Sequence, residues 1–304
     1  MLRVASALIS IAITLLIASS AHATCDGKTA LQVLGSGGPI ADDNRASSGY
    51  ILWHKGEAKL LIDAGGGTAL RFGQANAQFE TLNAIIITHF HTDHSAELPA
   101  LLKSSYFSNR ERPLPIFGPS GATKWPSTTE FITGLFHSET GIYRYLDGFL
   151  DGSDGMYQLL PENIDISKKQ PTLLLNKDNI KLYAVGVHHG PVPALGVLIE
   201  VDGKRLAISG DESDNNPAFA KMIKDADLLL MANAIPEHAG RIAKHLHATP
   251  SYIGKLAKEQ NIKHVVLTHL MARSINKLDQ SKALIRSQYQ GKLSVAEDLQ
   301  CYPL

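Results

Sequence analysis

Residues 89 to 94 read His-Phe-His-Thr-Asp-His and follow directly on the apolar stretch "LNAIIIT". Three imidazoles and a carboxylate this close together can converge on one side of a short connection. Nitrogen and oxygen donors of this kind suit Zn²⁺ or a similar first-row cation. A solvated polar turn would account for a lone His-x-His. Here it would also have to account for "VHHG" at 187–190, "SGD" at 209–211 and "LTH" at 267–269. His89, the pair His188/His189, Asp211 and His269 each close an apolar segment that reads as a strand. Strand ends are where rigid scaffolds present functional groups, and metal ligands gather in such places.

The elements that must position them are readable from period and punctuation. "TALQVLGSG", "SGYILWHK" and "AKLLIDAGGGT" read as strands separated by turns, "LNAIIITH" as a buried strand, and "AELPALLKSSYF" as a helix. Residues 120–160 are less regular, with apolar spacing that predicts short helices and a lid or insertion. Strands return in "KLYAVGVHH", "ALGVLIEVDG" and "KRLAISGD", the last two joined by a turn at Asp202-Gly203. Thereafter helix and strand alternate: "NPAFAKMIKDA", "DLLLMANA", "TPSYIGKLAKEQ", "KHVVLTH", "KLDQSKALIRSQYQ" and "KLSVAED". Strands followed by β-α alternation imply an α/β domain in which helices cover sheet faces.

Composition narrows the function classes. The chain has 304 residues, with 29 Lys+Arg against 29 Asp+Glu and 13 histidines. That length suits one large α/β domain or two small ones. The charge balance argues against an electrostatic nucleic-acid binder, which normally carries a basic excess. Arg3, an apolar run to Ala18 and the A-x-A of Ala21-His22-Ala23 predict a signal peptide over residues 1–23, cleaved before Thr24. The apolar run is short for a stable membrane anchor. The two cysteines, Cys25 and Cys301, then stand at opposite ends of a mature domain spanning 24–304. In an oxidising compartment they are expected to pair, a link worth on the order of 5 kcal/mol in the chain-entropy model.

Two further residues bear on the site. In "KHLHATPSY", Thr249 suits a helix N-cap and Pro250 the first turn, which places His247 close to a helix N-terminus. Asp63 in "LLIDAGGG" either accepts an imidazole N–H or caps the glycine-rich backbone that follows it. His54, His137, His238, His245 and His264 have no partner at a telling spacing.

The ordered set "LGSGGP", "LLIDAGGGT", "THFHTDH", "HGPVPALG", "SGD", "HAT" and "LTHLMAR" resembles the ribonuclease Z branch of the metallo-β-lactamase fold superfamily. "LGSGGP", the Ser47-Ser48 pair after Arg45 and "RPLPIFGP" look similar to secreted bacterial arylsulfatases of this fold. The resemblance implies a four-layer αβ/βα sandwich with two metals, expected as Zn²⁺ with Mn²⁺ or Fe²⁺ as alternatives. His89, His91 and His189 would hold the first ion. Asp93, His94 and His269 would hold the second, with Asp211 bridging. His189 is preferred to His188 because it directly precedes the family's "GPVPALG" turn. Asp93 and His247 would be the catalytic residues, His247 as substrate contact or general acid. A bridging aspartate separates the chain from true β-lactamases, where a cysteine is common.

Three departures bear on substrate. Glu97 stands where ribonuclease Z proteins carry a glycine. "LLLMANA" lacks the glutamate that partners their histidine, and residues 120–180 show no long Gly/Pro-rich arm. Arg273 keeps the family's arginine position, to bind substrate oxygens or to pair with a carboxylate. The expectation is therefore a periplasmic or secreted binuclear hydrolase of small anionic esters, working by attack of metal-bound hydroxide. Sulfate esters come first, phosphodiesters including cyclic nucleotides second, and lactones or thioesters third. A non-catalytic periplasmic metal- or partner-binding protein is the reading from another class. No nucleic-acid duplex or transfer RNA is expected as partner, and a homodimer stays open.

Overall fold

Along the strand Gly49–His54, Ile51 and Trp53 face a layer of helices while Tyr50 and Leu52 face a second sheet. That is the two-residue period of a strand buried on both sides. The computed structural model describes Cys25 and residues 29–304, so the signal-peptide expectation for residues 1–23 lies outside the described residues. Strands β1 (Thr29–Gly35), β2 (Gly49–His54) and β3 (Glu57–Ile62) form an antiparallel meander. β4 (Ala84–Ile86), β5 (Leu114–Pro119) and β6 (Leu159–Ile164) extend it in parallel. In the second sheet β7 (Thr172–Lys177), β8 (Ile180–His189), β9 (Val192–Val201) and β10 (Lys204–Ile208) are antiparallel neighbours. β11 (Leu228–Ala232), β12 (His264–Thr268) and β13 (Lys292–Val295) continue it in parallel. β14 (Cys301–Pro303) returns to pair with β1.

The two sheets are each seven-stranded and face one another. Leu31, Leu52, Ile62 and Phe117 on one side meet Val197, Ile199, Leu230 and Val266 on the other. Each such side chain contributes about 1.5–3 kcal/mol on leaving water. Among the described residues the α-helices, in chain order, are α1 (Thr68–Gln74), α2 (Thr92–Ser95), α3 (Leu98–Ser105), α4 (Thr128–Phe136), α5 (Gly148–Asp151), α6 (Pro217–Met222), α7 (Arg241–Leu246), α8 (Pro250–Glu259), α9 (Ala272–Ile275) and α10 (Leu278–Arg286). Helices α1, α3, α4 and α5 pack on the outer face of the first sheet, and α6, α8 and α10 on that of the second. The architecture is the αβ/βα sandwich of the metallo-β-lactamase fold. Among the described residues no helix is long and apolar enough to cross a membrane.

Residues 120–160, expected as a lid or insertion, lie in the crossover between the parallel neighbours β5 and β6. Their helices are held by fully buried Ile132, Phe136 and Phe149. The β9–β10 turn has positive φ at both Asp202 (50°) and Gly203 (75°), the geometry of a tight hairpin. Cys25 and Cys301 are joined in a disulfide, tying the start of the described chain to β14.

Candidate metal centre

The functional side chains come from strand ends on one edge of the sandwich. β4 leads through Ile87 and Thr88 to His89, and the chain then turns at His91 into α2, which carries Asp93 and His94. His189 is the last residue of β8, and His269 follows β12. Asp211 follows β10 through Gly210, whose φ is +58°. A Cβ at Gly210 would lie 2.6 Å from the Leu195 carbonyl oxygen, so only glycine lets this turn deliver Asp211. His269 itself has a φ of +52°, a left-handed conformation that a non-glycine residue adopts at some cost and that clusters at functional sites.

The donors form two groups that share one carboxylate. His89 Nε2 lies 3.1 Å from His91 Nδ1, and His189 Nε2 lies 3.4 Å from the same atom. Asp211 Oδ2 is 3.9 Å from His89 Nε2 and 3.7 Å from His189 Nε2. In the second group His269 Nε2 is 3.0 Å from Asp93 Oδ2 and 3.3 Å from Asp211 Oδ1. His94 Nε2 is 3.5 Å from Asp93 Oδ2 and 3.6 Å from Asp211 Oδ1. Bonds of 2.0–2.1 Å in a tetrahedral zinc site imply donor–donor edges of about 3.3 Å. Both groups match that spacing, and the donor atoms of His89, His91, His189 and Asp211, like those of Asp93, His94 and His269, lie inside 4.8 Å of one another within each set. The seven residues expected as ligands are thus brought together, and they fit a dinuclear site.

Unpaired buried atoms make the same point. His94 Nε2 and Asp211 Oδ1 are buried with no hydrogen-bond partner among the described residues. Polar atoms left so in a core cost about 1–3 kcal/mol each, unless a ligand occupies them. The opposite edges of the rings are well supported. His94 Nδ1 donates to Asp63 Oδ2 at 2.8 Å, and His189 Nδ1 donates to the Leu246 carbonyl at 2.7 Å. Each bond fixes the tautomer and turns Nε2 into the centre. Asp63 also accepts from Thr88 N at 2.7 Å and Thr88 Oγ1 at 2.9 Å, so it orients an imidazole rather than capping the glycines. His188 points the other way, with Nδ1 2.6 Å from Ser213 Oγ.

Charge is balanced within the cluster. Burial pushes His89 well below the usual imidazole range and lowers His91 and His189, leaving their lone pairs free to bind a cation. For His94 burial works downward, but Asp63 and Asp211 outweigh it and raise the group to about 10. His269 is raised likewise, with Asp211 and the bond to Asp93 overcoming burial. Against the same cost of burial, His269 and His94 hold Asp211 well below the carboxylate range, and the His269 bond lowers Asp93. A proton on His94 thus counters the buried carboxylates in the protein alone, a task that divalent cations can take over.

His247 sits beside these groups, its Nδ1 3.7 Å from Asp211 Oδ2 and without a hydrogen-bond partner among the described residues. Burial pushes it down to about 3, Asp211 opposing, so it is a neutral imidazole near pH 7. Thr249 caps α8 and Pro250 opens it, as the sequence led one to expect. Arg273 donates from Nε to the Ala234 carbonyl at 2.9 Å, and Asp211 acts on it electrostatically. Glu97 lies outside the centre, its carboxylate accepting from Ala69 N at 2.6 Å in the first turn of α1. The sequence reading missed Trp125, whose ring lies 5.5 Å from that of His91. A single tryptophan in an irregular stretch carries no local signal of that proximity.

Two facing sheets with a His/Asp centre at their edge are the arrangement of the metallo-β-lactamase fold. Over residues 29–290 the chain matches the family model described as anti-Pycsar protein Apyc1, and it belongs to that family. Ribonuclease Z of Methanosarcina mazei is 27% identical over 291 residues, covering 88% of this chain and 95% of that protein. The solved structure of the short form of human tRNase Z, ELAC1, matches with a TM-score of 0.69 at 22% identity, over 90% of this chain and 98% of that one. Unliganded yeast PDE1 matches with a TM-score of 0.65 at 14% identity, over 90% and 99% of the two chains. The ribonuclease Z-like relation anticipated from the motifs therefore stands, and these two structures share the fold.

Proposed function

We propose that this chain is a dinuclear metal-dependent hydrolase of small phosphodiesters, cyclic nucleotides among them. The observation that carries this reading is Asp211, whose two carboxylate oxygens face two separate sets of His/Asp donors. Bound there, a pair of divalent cations would lower the pKa of water and stabilise charge developing on an ester oxygen. His89, His91 and His189 would hold one cation and Asp93, His94 and His269 the other. Asp63 and the Leu246 carbonyl keep the rings aimed. His247, neutral and beside Asp211, donates a hydrogen bond to a substrate oxygen, so its part is substrate contact rather than delivery of a proton from an imidazolium. Arg273, held through Nε, offers its remaining N–H groups to an anionic ester.

Phosphodiesters rank above the sulfate esters that the motifs brought forward first, because the relatives are a ribonuclease and a phosphodiesterase. A small substrate, rather than the tRNA of the human relative, is supported by the balanced charge and by the helices packed into the β5–β6 crossover. The Cys25–Cys301 bridge supports export to an oxidising compartment. The test is a parallel assay of bis(4-nitrophenyl) phosphate, 4-nitrophenyl sulfate and precursor tRNA, each with and without chelator. Chelator-sensitive turnover of the phosphodiester above the other two is expected. Faster sulfate release or tRNA cleavage would overturn the assignment, and metal content without any turnover would favour a binding protein.

A further inference from the structure

A cavity of about 550 Å³ opens where β8 turns away from the metal centre, and two lysines and two histidines line it. We propose that it binds a phosphate dianion, free or carried on a small organic monoester, and that the bound anion clamps α7 to the sheet. The cavity lies outside the metal centre and does not depend on the ester-hydrolase reading.

Backbone geometry brings the lining together from separate segments. Successive residues of a strand point to opposite faces, so His189 serves the metal centre while His188 serves the cavity. A Cβ at Gly186 would lie 2.1 Å from the Ile166 carbonyl oxygen. The β6–β7 connection therefore crosses β8 in direct contact, and it carries Lys169 into the lining. The loop after Asp211 is tied to the same strand end. Ser213 N donates to the His188 carbonyl at 2.8 Å, and His188 N donates to Asn216 Oδ1 at 2.6 Å. From α7, the His245 ring stands edge-on to that of His188 with centroids 4.7 Å apart, and Lys244 precedes it.

Charge selects the occupant. Lys169 and Lys244 have no ion-pair partner among the described residues. Ammonium groups bind phosphate as point charges. Asp214 is the carboxylate of the lining, and its oxygens are already engaged. They accept from Thr249 N at 2.9 Å and from Thr249 Oγ1 at 3.0 Å. Ser213 Oγ meets His188 Nδ1 at 2.6 Å, which leaves His188 Nε2 for a ligand. The volume is that of a small-molecule site, large enough for a phosphate with an organic group attached.

Helix α7 has the most to gain from such an anion. None of its residues is buried. Yet the Leu246 carbonyl at its end receives the His189 Nδ1 hydrogen bond, and His247 follows directly. An anion between Lys169 and Lys244 joins this exposed helix to the β6–β7 connection. A ligand that binds only the docked arrangement stabilises it.

Calorimetric titration of zinc-loaded protein with ribose 5-phosphate and with inorganic phosphate, at constant ionic strength, measures the binding. The tighter ligand tells a monoester from the free anion, and uncharged ribose should give no heat. Lys169→Ala and Lys244→Ala, both at exposed positions, should each raise Kd about tenfold, the size of one lost charge-assisted contact. The same titration on His91→Ala, whose metal centre is broken, removes any binding at the cations and should keep the lysine-dependent event. Hydrogen exchange of residues 241–246 should slow when the parent is saturated with ribose 5-phosphate. That protection should shrink in Lys169→Ala near the parent's Kd. Lys169 lies in another segment, so its effect on α7 passes through the anion. Binding that both lysine variants leave unaltered, that His91→Ala abolishes, or that ribose reproduces would overturn the site. No turnover enters these measurements, so failure of the hydrolase reading is told apart from failure of this one.

Discussion

Asp63 accepts the Nδ1 hydrogen bond of His94 at 2.8 Å while Thr88 donates to it from both backbone and hydroxyl. That carboxylate touches no donor position itself, yet it decides which nitrogen of His94 faces the centre. Asp63→Asn keeps the shape but loses the charge, and is expected to weaken metal affinity by about 10–100-fold. Competition with a calibrated chelator measures this. An unchanged affinity would mean that His94 needs no such support.

Metal uptake should release protons. Without cations His94 is raised to about 10 from an ordinary 6.5, and His269 is raised as well. Because the folded value lies above the unfolded one, the stability contributed by the Asp63–His94 pair in the metal-free protein is complete below pH 6.5. It is lost as pH climbs through about 10. A cation competes with the same proton, so affinity should rise across that window. Calorimetric titration in buffers of different ionisation heat reads the released protons, and a heat independent of buffer would contradict the assignment.

His247→Ala removes none of the seven donors and should leave metal content intact. Loss of a hydrogen-bond donor to the developing charge is expected to lower kcat about 100-fold. Since burial holds His247 at about 3, it should contribute no titration to the rate between pH 5 and 8. A limb near pH 6 that vanishes in the variant would show instead that it works as an imidazolium acid.

Cys301→Ser should cost about 2–5 kcal/mol, because the Cys25–Cys301 bridge closes almost the whole described chain. Thermal melts with and without reductant should reproduce the difference in the parent protein and show none in the variant. Intact mass without reductant should fall two hydrogens short of the reduced form, and free thiols would remove the bridge.

His89, His189, Asp211 and His269 were legible because each ends or soon follows an apolar strand, and His91, Asp93 and His94 because they crowd behind His89 in one tight cluster. The choice between His188 and His189 was not legible from period alone. Successive residues of β8 point to opposite faces, and only the packed sheet shows that His189 turns inward while His188 meets Ser213. β6 and β7 escaped notice for a related reason. They are the outer strands of their sheets, and "LLPENI" and "TLLLNK" expose positions that a central strand would bury. β14 spans only Cys301–Pro303, too short to carry a period. Lys169, His188 and Lys244 meet only in three dimensions, so no local motif could mark the cavity they line.

The most direct test is a titration of chelator-stripped protein with Zn²⁺ while turnover of bis(4-nitrophenyl) phosphate is followed. With Asp211 reaching both donor sets, activity should be absent at the start and reach its plateau at two equivalents per chain. Full turnover in the stripped protein, or a plateau at one equivalent, would contradict a dinuclear centre.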